Sequence, residues 1–106
     1  MSNTTKIQHI ENEQGGKFFV YYDNQEAGFI QYEWLPNGNF KANGTLVYDD
    51  FRDKKLGKPL FDALMNFARE KNVKIYPTCP FVVLSMKRDA STHDLWADDY
   101  KAENGL

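Results

Sequence analysis

The sequence predicts an α/β fold (α+β in some schemes), a mixed sheet in which an antiparallel meander precedes a strand-helix-strand crossover. Three observations predict it. Residues 17–48 hold three runs rich in aromatic and β-branched side chains, separated by two polar turn clusters. Residues 58–71 then place apolar side chains at helical spacing. A short apolar run at 73–76 follows, and a strand, a helix and a strand in succession form a right-handed crossover with parallel strands.

Up to about Gly16 the chain reads as a loose entry segment, with a short strand at 7–10 and a turn at Gln14-Gly15-Gly16. KFFVYY (17–22) is the first strand of the meander, and the polar cluster Asp23-Asn24-Gln25-Glu26 closes a hairpin. In the next strand Ile30, Tyr32 and Trp34 fall on one face, with Phe29, Gln31 and Glu33 on the other. Asn37-Gly38 marks the second hairpin turn, and residues 40–48 form the third strand. In the helix, Leu60, Phe61, Leu64, Met65, Phe67 and Ala68 recur at the spacing of one buried stripe. Pro59 suits its first turn, where an N–H has no partner to lose, and Asn72 suits its stop. Pro77-Thr78-Cys79-Pro80 then interrupts the chain. Residues 81–88 fit a second short helix or a strand, since eight residues are too few for periodicity to decide. An acidic tail follows, with residues 97–106 beyond the last predicted element.

The 106 residues suffice for one domain with one core, and residues 1–106 are read as one. Hydrophobic residues make up 42% and aromatics 15%, enough apolar mass to argue against disorder. Thirteen basic against 15 acidic residues give a net charge of −2, which gives no reason to expect nucleic acid as a partner. The single cysteine, Cys79, allows no internal disulfide and no cysteine-based metal cluster, and no metal site is expected. The polar start offers no signal peptide and no stretch is apolar enough to span a membrane. The expected compartment is therefore the cytoplasm, and the expected state a monomer or weak dimer.

The segment between third strand and helix carries the chemistry. Four basic residues, Arg52, Lys54, Lys55 and Lys58, surround the turn that opens the helix. A helix N-terminus exposes unpaired N–H groups and the positive end of its dipole, which together suit a pyrophosphate. The plain alternative is a solvated basic loop. Other titratable groups rank below this turn. Cys79 reads as a small buried residue or a free thiol, and a thiol needs a base or a positive field to react at neutral pH. His93 could fold back toward Cys79, and His9 is weaker still. Glu33, Asp49 and Asp50 could deprotonate an amine, but each reads more simply as a surface carboxylate.

With the helix GKPLFDALMNFAREKNV and the signature Pro77-Thr78-Cys79-Pro80-Phe81-Val82 in place, the chain resembles the small single-domain members of the GNAT superfamily of N-acetyltransferases. The likeness runs from about Phe18 to the tail. It implies a GNAT-like mixed sheet and transfer of an acetyl group from acetyl-CoA to a primary amine of unspecified identity. The pantetheine arm of coenzyme A would lie along Leu46, Val47 and Tyr48, where strands splay at Val47 and Ile75. The pyrophosphate would sit on Arg52, Asp53, Lys54, Lys55, Leu56, Gly57 and Lys58. Cys79 would be either a nucleophile that takes the acetyl group or a wall of the acyl pocket. The turn departs from the family pattern, with Asp53 and Lys55 where glycines are usual, and Gly44 stands where a histidine is frequent. Two rival readings follow: a catalytically weak or inactive module that binds coenzyme A, or an interaction domain without a ligand.

Overall fold

The computed structural model describes residues 4–106. Its elements are β1 (Thr5–Glu11), β2 (Gly15–Tyr22), β3 (Gln25–Trp34), β4 (Phe40–Val47), a 3-10 turn (Asp49–Lys54), α1 (Gly57–Lys71), β5 (Ile75–Pro77), α2 (Pro80–Arg88), a second 3-10 turn (Ala90–Leu95) and α3 (Asp98–Asn104). The strands form one sheet in the order β1-β2-β3-β4-β5. The first four pair antiparallel, and β4 pairs with β5 in parallel. The mixed sheet of the sequence reading is thus the observed one.

Alternation explains which face is buried. Phe18 and Val20 of β2, Ile30 and Tyr32 of β3, and Phe40 and Ala42 of β4 are all buried, and the α1 stripe covers them. Their alternate neighbours, Lys17, Phe19, Phe29, Gln31, Glu33 and Lys41, are half-buried or exposed on the outer face. The α1 stripe is the one predicted, Leu60, Phe61, Leu64, Met65, Phe67 and Ala68. Asn72 caps α1 in the left-handed conformation, φ 57°, its N–H reaching Ala68 and Arg69. No helix among the described residues is long and apolar enough to cross a membrane.

Four sequence expectations shift. The entry segment contains a seven-residue strand that pairs along its whole length with β2. The turn before β2 is formed by Asn12, whose side chain accepts from the N–H groups of Gln14 and Gly15, so both glycines lie inside β2. The strand expected at 73–76 sits two residues later, at Ile75–Pro77. Residues 81–88 are helical, because Val82 and Met86, one turn apart, are both fully buried, and Pro80 stands in the first turn.

Candidate functional site

The site begins where β4 loses its neighbour. β5 pairs with β4 only at Phe40, Lys41 and Ala42. The N–H groups of Thr78 and Cys79 then both donate to the Ala42 carbonyl, at 2.9 and 3.1 Å, and the chain turns into α2. The strands therefore part at Ala42 and Pro77. The expected splay at Val47 and Ile75 is corrected: Ile75 pairs with Phe40, and Val47 lies five residues beyond the parting. Proline at 77 and 80 explains the early end, since neither can donate to a ladder.

A bulge fixes which groups of β4 face the gap. Gln31 pairs with Gly44, but Tyr32 pairs with Ala42, so Asn43 is an extra residue. The Tyr48 N–H donates to the Ala27 carbonyl at 2.8 Å, toward β3. Backbone groups alternate along a strand, so those of Leu46 also face β3 while those of Thr45 and Val47 face the gap. Of the three residues expected along the pantetheine, only Val47 offers its backbone there. Leu46 exposes its side chain on the outer face, and the Tyr48 hydroxyl donates to Glu26 at 2.5 Å, a bond that raises its pKa. Thr45 was not singled out by sequence, because a bulge leaves no periodic signature.

The turn to α1 is a 3-10 turn that ends at Lys55, in the left-handed region at φ 58°. This is the position where the family pattern places glycine, and the geometry gives the reason. Gly57 does not share it: the positive-φ glycines among the described residues are Gly38 and Gly105. Gly57 is instead a packing position, since a Cβ there would stand 2.9 Å from the tip of the Phe81 ring, which would have to shift. Leu56 is buried, anchoring the turn to the core.

The charge of this turn is less lopsided than four cations suggest. Arg52 pairs with Asp49 at 3.0 Å, Lys54 with Asp53 at 3.6 Å and Lys58 with Asp62 at 3.2 Å. Across 49–62, four cations meet four carboxylates, Asp49, Asp50, Asp53 and Asp62, so the stretch is formally neutral. Among the described residues no carboxylate pairs with Lys55. Exposed ion pairs are worth at most about 1 kcal/mol and can be exchanged for a phosphate contact.

Cys79 lies at the closed end of the gap. It is buried, and its thiol donates to the Thr45 hydroxyl at 3.4 Å, bridging the head of α2 to β4. His93 is not brought to it. The His93 imidazole bonds the Met86 carbonyl at 2.9 Å, near the far end of α2. Seven residues of helix separate Met86 from Cys79, about 10 Å at 1.5 Å per residue. The fold-back of His93 toward Cys79 is therefore corrected. Glu33 lies on the outer face and pairs with Lys41 at 3.5 Å.

Two features escaped the sequence reading. The Gln31 carboxamide lies over β4, its Nε2 2.9 Å from where a Cβ on Gly44 would be. It fills the space that a side chain at position 44 would take. Second, His9 Nε2 and the Tyr32 hydroxyl lie 2.7 Å apart, and that hydroxyl donates to Glu11 at 3.1 Å. The His9 ring stacks on Phe18 at 4.1 Å and meets Phe67 edge-on. Burial lowers the pKa of His9, while burial and the Glu11 hydrogen bond raise that of Tyr32.

Residues 17–95 match the family described as GCN5-related N-acetyl-transferase. The solution structure of a GCN5-like protein from Staphylococcus aureus is 26% identical, with TM-score 0.64 over 85% of this chain and 87% of that one. The crystal structure of a ribosomal-protein-alanine N-acetyltransferase from Brucella melitensis biovar Abortus shares the fold. It is 24% identical, with TM-score 0.57, over 66% of this chain and 53% of that one. No curated protein matches the chain.

Proposed function

The chain belongs to the GCN5-related N-acetyltransferase family, and on that premise we propose that it transfers an acetyl group from acetyl-CoA to a primary amine. The observation that carries this reading is the open edge of β4 beyond Ala42, which runs directly into the turn at the head of α1. An extended chain bearing amides can add to a strand edge through main-chain hydrogen bonds. In this reading the backbone groups of Thr45 and Val47 would hold the pantetheine arm. The N–H groups at the head of α1, with Lys55, would hold the pyrophosphate. The residues fit the arm well and the pyrophosphate more weakly, because Asp49, Asp53 and Asp62 already occupy three of the four cations.

Acetyl-CoA would supply an activated thioester. In the transfer the amine forms a C–N bond to the carbonyl carbon and loses one proton, the C–S bond breaks, and the departing sulfur takes up a proton. Cys79 serves here as a wall of the acyl pocket. Its thiol is buried and already engaged with the Thr45 hydroxyl. No nucleic acid or membrane partner is invoked.

The test is a titration of acetyl-CoA followed by amide NMR, with release of free CoA measured on a pool of amines. The expected result is shifts at Thr45, Val47 and 55–58, with turnover retained in Cys79→Ala. Lack of response at millimolar acetyl-CoA would sink the reading, and loss of turnover in a folded Cys79→Ala would restore the nucleophile role. The Lys54→Ala/Lys55→Ala double variant should weaken acetyl-CoA binding several-fold; unchanged affinity would remove the phosphates from this turn. The Gln31 carboxamide over Gly44 supports the alternative of a binding module without turnover. That alternative predicts the same shifts with no release of CoA from any amine.

A further inference from the structure

The two edges of the sheet are finished differently. At the β5 edge the chain closes its own ladder: Ile75 bridges Trp96, and the Ala97 N–H donates to the Ile75 carbonyl at 2.9 Å. At the other edge, among the described residues, β1 has a strand on one side only. Its seven residues pair with β2 without a register shift, and it contains no proline. Edge strands are commonly shortened, bulged, charged or given a proline, which keeps other chains from pairing with them. In β1 the charges are Lys6 and Glu11, which leave the strand formally neutral.

Two bonds show which backbone groups of β1 are free. The Asn12 N–H donates to the Gly15 carbonyl and the Asp23 N–H to the Thr4 carbonyl, at 2.8 and 2.9 Å. Positions 4 and 12 therefore turn their backbone groups toward β2. Those groups alternate along a strand, so Lys6, Gln8 and Ile10 also turn to β2, while Thr5, Ile7, His9 and Glu11 point theirs away from the sheet. The side chains of Ile7 and His9 share the inner face with Val20 and Phe18, and Ile10 shares the outer face with Lys17. Ile7 and Ile10 are both exposed.

A second copy of the chain fits this edge. Two copies related by a two-fold axis through the sheet run antiparallel there and keep the same face inward. Centred on Gln8, that axis sets Thr5 opposite Glu11, Lys6 opposite Ile10, Ile7 opposite His9 and Gln8 opposite Gln8. It is the one centre that pairs all seven residues, since a centre at Ile7 or His9 pairs five. No like charges are opposed, and outward backbone groups meet outward backbone groups at every second position. Ile7 of the second copy would extend the ring set of His9, Phe18 and Phe67. The helices leave room, because α1 lies chiefly over β2. Two such helices would stand three strand spacings apart, about 14 Å, beyond the about 8–10 Å at which helices pack. We propose that the chain forms an antiparallel dimer through β1, joining two sheets into one of ten strands. One strand pair is smaller than the about 1,200 Å² at which standard interfaces begin, so the dimer is expected to be weak, dissociating at hundreds of micromolar.

The test is sedimentation and amide hydrogen exchange over a dilution series reaching millimolar protein. The mass should rise toward the dimer. The N–H groups of Thr5, Ile7, His9 and Glu11 should exchange more slowly as concentration rises, while those of Lys6, Gln8 and Ile10 stay protected throughout. Gln8→Lys and Gln8→Glu each set like charges opposite one another and should weaken association about two- to fivefold, and an equimolar mixture of the two should restore it. Ile7→Pro removes an outward N–H and none of those bonded to β2, and should abolish the dimer. A monomer at millimolar concentration would overturn the proposal, as would concentration-dependent protection confined to other residues. Gln8 variants that associate like the parent would overturn it too. So would dissociation by acetyl-CoA, which would place β1 in the β4 gap of a neighbour instead.

Discussion

The two ends of β4 behave in opposite ways. At Phe40 the strand is sealed: Phe40, Tyr32, Trp34 and Phe67 form one set of ring contacts, with centroids 5.0–5.9 Å apart, and β5 closes the edge. Beyond Ala42 the same strand has a free edge, a bulge, and a turn held by exposed ion pairs. One end spends its backbone groups on its own ladder and the other leaves them for a partner. Stability should therefore concentrate at the first end and ligand response at the second.

Phe40→Ala is the hardest test of that division. It removes a fully buried ring from the sealed end and should cost about 3–5 kcal/mol, measured by urea unfolding. A cost below about 1 kcal/mol would show that the aromatic set does not hold the fold. Gly57→Ala comes next. The added methyl meets the Phe81 ring at 2.9 Å, and the overpacking should cost about 1–3 kcal/mol. Phe81→Leu in the same background should recover part of it, because the clash is with the ring.

Lys55→Gly acts in the other direction. A non-glycine residue in the left-handed region costs about 1–2 kcal/mol, and glycine loses about 0.5–1 kcal/mol of that to its unfolded-state entropy. The variant should gain about 0.5–1 kcal/mol while losing affinity for acetyl-CoA, separating conformation from charge at one position. A loss of stability would mean that the Lys55 side chain holds the turn.

The smallest effect is a pH dependence at the sealed end. Burial holds the His9 pKa below its usual value. The unfolded chain therefore takes up the proton first as pH falls. Stability should be flat above about pH 7 and should decrease as pH drops through the ordinary imidazole range near 6.5. His9→Phe keeps the stack on Phe18 and should flatten the change in Tm between pH 7.5 and 5.5. An unchanged slope would place the titration elsewhere.

Much of the fold was legible in the sequence for local reasons. The α1 stripe of six apolar residues, the αL-tolerant Asn72 and the Asn-Gly hairpin turn are dictated within a few residues of themselves. The basic turn was legible as a place. Its charge balance was misread, because counting Arg52, Lys54, Lys55 and Lys58 overlooks where Asp49, Asp53 and Asp62 fold to. What Gly57 packs against was not legible either, because the Phe81 ring that crowds a Cβ there comes from an element 24 residues away.

By itself, then, the sequence determined the meander, the crossover helix, the family and the location of the turn, since short-range periodicity, turn chemistry and a signature carry these. Only the tertiary structure decided where β4 and β5 part, which backbone groups of β4 face the gap, and that Cys79 bonds Thr45 while His93 stays at the far end of α2. Each of those depends on register, and one residue of shift along β4 exchanges the groups that face the gap for those that face β3.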